Sequence, residues 1–170
     1  MSSKVIFIIG PSGCGKTEVG KSLANDLQGI FIDADDYHND NNIKKMSSGK
    51  PLSDDDRYPW LLSVRKAVID HLNNNTKFIV VACSALKQIY RNILSVSDIH
   101  KNEYFIFLQA DFNLLNERLC SRKNHFMPPC LIESQLNTFE LPNENQLNFC
   151  TLPANEKIFN LLSQIKDFIK

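Results

Sequence analysis

The chain has 170 residues, 43% of them hydrophobic, which suits one domain with a core of its own and leaves no room for a second full domain. Lys plus Arg and Asp plus Glu both number 19, so no basic excess points to nucleic acid or an anionic membrane as partner. The five cysteines, Cys14, Cys83, Cys120, Cys130 and Cys150, show no C-x-x-C spacing, which argues against zinc and dithiol motifs and for reduced thiols in a cytoplasmic protein.

In chain order, the apolar run Val5 to Ile9 falls far short of the ~20 residues of a membrane span and reads as a buried strand. A helix, "KTEVGKSLANDLQG", follows and is expected to end at Gly29, then a second strand, "IFIDA". From Arg57 the apolar residues Trp60, Leu61, Val64, Val68, Ile69 and Leu72 share one helical stripe. The third strand is "KFIVVACSA", with a helix from about Lys87, a fourth strand at "EYFIFLQA", and a helix in "FNLLNERLCSRK". The pattern then breaks at "KNHFMPP" and resumes as a short helix in "LIESQLNTFE", a weak strand near "QLNFCTL", and a last amphipathic helix, "NEKIFNLLSQIKDFIK". The asparagine clusters at Asn39 to Asn42 and Asn73 to Asn75 read as loop or helix-end composition. This rhythm predicts an α/β domain over residues 1–170, in which a five-stranded parallel sheet carries helices on both faces.

Directly after the first strand stands "GPSGCGKT", Gly10 to Thr17, which satisfies G-x-x-x-x-G-K-[ST] in its strand-to-helix context. Gly10, Gly13 and Gly15 allow backbone angles that turn several N–H groups onto phosphate oxygens, and the helix start adds its positive dipole end. Lys16 is expected to reach the outer phosphates and the Thr17 hydroxyl to complete a magnesium ion's shell. Cys14, at a helix N-terminus beside Lys16, is either a thiol biased toward thiolate, which ATP would shield from reagents, or a small residue fitting a tight loop. GTPases and motor ATPases share the loop but need an acidic strand end, and the third strand ends in Cys83 and Ser84; no N-K-x-D guanine reader is present. A small-molecule kinase of three-layer P-loop fold is the expectation.

Two further stretches carry chemistry. Arg118 and Arg122 lie at i, i+4 on one helix face with Lys123 beside them: either a solvated basic face, or cations for a transferring phosphoryl group beneath a mobile lid at about residues 122–131. "FIDADDYH" ends the second strand with Asp33, Asp35, Asp36 and His38, which could bind a metal, cap a helix or take a proton. Strand period puts Asp33 and Asp35 on one side and leaves Asp36 to begin the next helix. No pair among His38, His71, His100 and His125 has zinc-ligand spacing on one element.

With "DADDYH", "NIKKMSSGKPLSDDDRYPWL", "CSALKQIYR", "ERLCSRKNHFMP" and "SQLNTFE" added to the phosphate loop, the chain resembles the gluconokinase family, P-loop kinases that phosphorylate D-gluconate on its 6-hydroxyl. The resemblance runs from Gly10 to Glu140, and "PLSDDDRYPWL" and "CSALKQIYR" are its specific parts. It implies that Gly10, Ser12, Gly13, Cys14, Gly15, Lys16 and Thr17 hold ATP, that Arg118 lies against adenine, and that Arg122 meets phosphates. Asp35 is implied as the general base, Lys16 and Arg122 as its catalytic companions, and Thr17 with Asp33 as the magnesium site. His38, Arg57, Ser84, Lys87, Arg91, His125 and Gln135, with Asp35, are implied for the gluconate. The resemblance also suggests a homodimer. Rival readings are another small-metabolite or nucleoside-monophosphate kinase of the same fold, or a nucleotide-binding regulator without chemistry.

Overall fold

The computed structural model describes residues 3–96, 102–121, 129–143 and 148–170. Five strands, β1 (Lys4–Ile9), β2 (Ile30–Asp33), β3 (Phe78–Cys83), β4 (Glu103–Gln109) and β5 (Phe149–Pro153), form one sheet of order β2-β3-β1-β4-β5. Every strand pair is parallel, and β1 sits in the middle with Phe7 registered against Val81 on one side and Phe105 on the other.

Because β1 is covered on both faces, its apolar run is continuous, and alternation sorts it into two cores. Ile6 and Ile8 pack with Val19 and Leu23 of α1 (Lys16–Asp26), Leu115 of α5 (Phe112–Ser121) and Leu161 and Ile165 of α7 (Ile158–Phe168). Val5, Phe7 and Ile9 pack instead with Trp60, Leu61, Val64 and Val68 of α3 (Asp54–Asn73) and with Tyr90 and Leu94 of α4 (Gln88–Leu94). Each fully buried side chain of this size contributes about 1.5–3 kcal/mol. The two faces therefore hold the strand ends in a fixed relation, which is what the site needs.

Three local departures from the sequence reading have physical causes. α1 stops at Asp26, and Gln28, at φ 53, takes the left-handed position expected of Gly29. Gly29 serves a different need, since a Cβ there would lie 2.5 Å from the Phe78 carbonyl oxygen as the chain enters β2. α3 begins at Asp54 rather than near Arg57, because Ser53 and Asp56 form a reciprocal capping box. The asparagine cluster contains an unforeseen helix, α2 (Asp40–Ser47), capped by Asn39, whose side-chain oxygen accepts from the Asn42 N–H at 2.8 Å.

Candidate active site

The loops that follow the carboxyl ends of the strands gather at one edge of the sheet, where ligands of such folds bind. After β1 the phosphate loop turns through Gly10, Gly13 and Gly15 at φ 146, 88 and 102, angles that side-chain-bearing residues resist. Gly10 also donates its N–H to Ser84 O at 3.2 Å, which ties the loop to the end of β3. α1 starts at Lys16, so its first N–H groups and dipole face the loop's concavity. Lys16 Nζ donates to Pro11 O at 2.9 Å, and the Thr17 hydroxyl donates to Asp33 Oδ2 at 2.9 Å.

Arg118, on α5, sends Nη1 to Cys14 O at 3.1 Å and Nη2 to Ala154 O at 2.9 Å. Its guanidinium thus bridges the phosphate loop and the chain that follows β5. Cys14 is only 1% exposed and its sulfur lies where a Cβ on Gly10 would collide with it. That burial favours the second reading, a small residue filling a tight loop, over a reactive thiol that ATP would shield.

β2 ends in a single 3-10 turn, Ala34–Tyr37. Asp33 caps this turn by accepting from the Asp35 N–H at 3.1 Å, so the cap expected at Asp36 is Asp33, and Asp36 is exposed. Strand alternation does not extend past Asp33, because the turn curls Asp35 inward by a different route. Trp60 fixes that route: its indole N–H donates to Ala34 O at 2.6 Å, and its ring stacks on His38 at 4.1 Å between centroids.

One pocket of about 400 Å³ is lined by Ser12, Lys16, Asp35, His38, Met46, Leu52, Arg57, Trp60, Ser84 and Gln135. A second lobe of about 410 Å³ shares Met46, Leu52, Arg57, Ser84 and Gln135 and adds Tyr90, Leu86 and Leu131 among others. Gln135 comes from α6 (Ile132–Thr138), and its side-chain oxygen accepts from the Ser12 N–H at 2.8 Å, linking that helix to the phosphate loop. Burial and the neighbouring Arg57 charge push the His38 imidazole down from 6.5 to about 4, so it is neutral near pH 7. Cys83, fully buried beneath the site, is pushed up to about 12 by burial and stays a thiol.

Of the residues anticipated in the sequence, Ser12, Lys16, Asp35, His38, Arg57, Ser84 and Gln135 meet in this pocket. Lys87 and Arg91 do not line either lobe. Lys87 Nζ instead pairs with Asp54 at 2.9 Å. Arg91 is 1% exposed, and its guanidinium donates to the carbonyls of Ala85, Leu86 and Glu140 at 3.2, 3.1 and 2.9 Å. Those bonds pin the chain after α6 to the turn after β3, a structural task in place of the expected ligand contact. Arg122, His125 and most of the anticipated lid lie outside the described residues. Trp60, Met46 and Leu52 were not anticipated as pocket walls. Trp60 belongs to an apolar stripe, and a stripe gives no sign that its end residue also faces a ligand.

Fold and site together define a P-loop kinase that acts on a small molecule. A sequence profile described as "Shikimate kinase" matches residues 12–159. A "Probable gluconokinase" of Dictyostelium discoideum is 41% identical over 98% of this chain and 86% of its own length. A "Thermosensitive gluconokinase" of Escherichia coli is 38% identical, over 99% and 89%. The crystal structure of a gluconokinase from Sinorhizobium meliloti superposes with a TM-score of 0.83 at 34% identity, covering 98% of this chain and 91% of that one. The chain belongs to the gluconokinase family, within the wider group that the shikimate kinase profile describes.

Proposed function

We propose that this chain is a gluconokinase, which transfers the terminal phosphoryl group of ATP to the 6-hydroxyl of D-gluconate and releases ADP. The observation that carries the reading is the pocket itself, where Lys16 and Asp35 share one wall system with Arg57, Ser84 and Gln135. A polyhydroxylated anion needs a cation and several neutral hydrogen-bonding groups, and with Lys16 assigned to the phosphates and Asp35 to the proton, Arg57, His38, Ser84 and Gln135 supply them. His38, held neutral, offers its ring to a hydroxyl and leaves Arg57 to meet the carboxylate.

In the step itself, Asp35 takes the proton of the 6-hydroxyl as its oxygen attacks the terminal phosphorus, and the bond to the bridging oxygen of ADP breaks. Lys16 releases Pro11 O and follows the charge that grows on the transferred group. Arg118 is proposed to lie against adenine, and Arg122 is the lid cation proposed for the phosphates. Thr17 and Asp33 suit magnesium: both are hard oxygen donors, and the Thr17 proton already points to Asp33 Oδ2, which leaves the hydroxyl's lone pairs for a cation. Bound there, the ion would neutralise charge on the phosphate oxygens. His125 is proposed as a further gluconate contact from the lid.

Among the described residues, Arg57 is the only arginine that lines either lobe. That disfavours a nucleoside-monophosphate kinase, which needs several cations for its acceptor phosphate. No helix among the described residues is long and apolar enough to cross a membrane, and we assign the protein to the cytoplasm as one domain, with a homodimer as its expected assembly. The deciding experiment is ADP release measured over gluconate, shikimate and nucleoside monophosphates with magnesium present. Turnover is expected with gluconate; its absence there, or a preference for another acceptor, would overturn the reading.

A further inference from the structure

Among the described residues Arg57 is the only cation that lines both lobes, Lys16 lining the first alone, so its orientation decides how an anionic acceptor sits. Its Nη1 donates to Leu52 O and to the Tyr90 hydroxyl, the latter at 3.4 Å, and its guanidinium lies 5.4 Å from the Tyr90 ring centroid. Tyr90 in turn donates its O–H to Asp54 Oδ1 at 2.5 Å, and Lys87 Nζ closes on the same carboxylate at 2.9 Å. The protons therefore run one way, from Arg57 to Tyr90 to Asp54. Asp54 is held below the usual carboxylate range by the Tyr90 and Lys87 hydrogen bonds, while burial and Asp54 hold Tyr90 protonated. Among the described residues all of Arg57's hydrogen bonds leave from Nη1, so its Nε and Nη2 donors remain for the planar, two-pronged grip that a carboxylate takes.

We infer that Asp54 and Tyr90 form a specificity clamp, which sets the guanidinium of Arg57 to receive the carboxylate of a sugar acid. The inference rests on the reading of this pocket as a gluconate site. Asp54 touches no ligand and is a positioning residue; it acts through Tyr90 and Arg57. Its role also explains why an exposed acid and a partly buried lysine converge on a buried tyrosine. Asp54 stands in "PLSDDDRYPWL" and Tyr90 in "CSALKQIYR", but neither has a role of its own in the sequence reading, and Lys87, taken alone, reads as a ligand.

The test compares wild type with Asp54→Asn, Asp54→Glu and Tyr90→Phe in steady-state ADP release, with thermal midpoints recorded alongside. Asp54→Asn and Tyr90→Phe should each raise KM for gluconate about tenfold, the scale of one misaligned charge-assisted contact, with kcat and the KM for ATP within about twofold. Asp54→Glu should restore most of the loss. A merely structural role would move kcat, the ATP KM and the thermal midpoint together, and that pattern overturns the clamp. Unmoved gluconate KM in both variants, with an active wild type, also overturns it while leaving the gluconokinase reading intact. A wild type inactive on gluconate overturns that reading and the clamp with it. Should Tyr90→Phe fail to fold, Asp54→Asn, at a half-exposed side chain on the surface, answers alone.

Discussion

On the side proposed for the phosphates, Gly10 to Thr17 come from one unbroken strand, loop and helix start. On the acceptor side, Asp35 and His38 come from the turn after β2, Arg57 from α3, Ser84 from the end of β3 and Gln135 from α6. The first side is built within one segment, set by glycine angles and a helix end, and Ser84, Arg118 and Gln135 only tie it to its neighbours. The second exists only when four elements pack correctly, so its chemistry depends on contacts such as the Trp60 bond to Ala34 O. Under the proposed function, the first side would serve any kinase of this fold and the second would select the acceptor.

Asp35→Asn separates the two sides most widely. If Asp35 takes the acceptor's proton, kcat should fall by about 10²–10⁴-fold, the usual range for losing a positioned base. KM for ATP should stay within about twofold, since the phosphate loop is built without it. Single-turnover kinetics with saturating ATP would check this, and unchanged turnover would remove Asp35 from the mechanism.

Gly10→Ala should do the reverse. A Cβ at Gly10 lies 2.9 Å from the Leu108 carbonyl oxygen and 2.8 Å from Cys14 Sγ, on a backbone at φ 146. Backbone cannot yield as a side chain can, so stability should fall by about 1–3 kcal/mol. The loop's anion cradle should open with it, raising KM for ATP more than KM for gluconate. Thermal melts and two-substrate kinetics measure both effects. An alanine variant with native stability and native ATP affinity would show that the loop is not geometrically locked.

The two sides also differ in how far the sequence discloses them. Strand order aside, the sheet and most helices are legible because β1 and β3 are continuous apolar runs and the later helices keep a 3.6-residue period. α2 was hidden because asparagines and lysines dominate it and its cap, Asn39, resembles any loop asparagine. The turns of the phosphate loop are legible residue by residue, since they follow from local geometry. Acceptor residues are legible only as a pool of polar candidates: Arg57, Lys87 and Arg91 look alike in the chain. Which acceptor each cation meets is a tertiary fact, and Arg91 meets carbonyls while Lys87 meets Asp54. The same limit assigned the cap to Asp36, because the curl of the 3-10 turn that favours Asp33 is fixed in part by Trp60 from α3.

The smallest effect concerns the charge of His38, and the chain carries its own reporter for it. Trp60 is the sole tryptophan, and its ring stacks on His38 at 4.1 Å with 16° between planes. A protonated imidazole withdraws electron density from an excited indole, so emission should fall as His38 gains its proton. With the folded group lowered to about 4 by burial and Arg57, that fall should centre near pH 4 and not near 6.5. The sign of the linked stability follows. Between pH 6.5 and about 4 the unfolded chain holds a proton at this site and the folded chain does not, so stability is full above 6.5 and declines as pH drops through that window. One proton limits the slope to about 1.4 kcal/mol per pH unit, and partial exposure reduces it further. His38→Gln should abolish the emission step and flatten that part of the melting profile. An emission step centred at pH 6.5 would mean that His38 is well solvated and carries charge in the pocket under mildly acidic conditions, placing a second cation beside Arg57 for the acceptor.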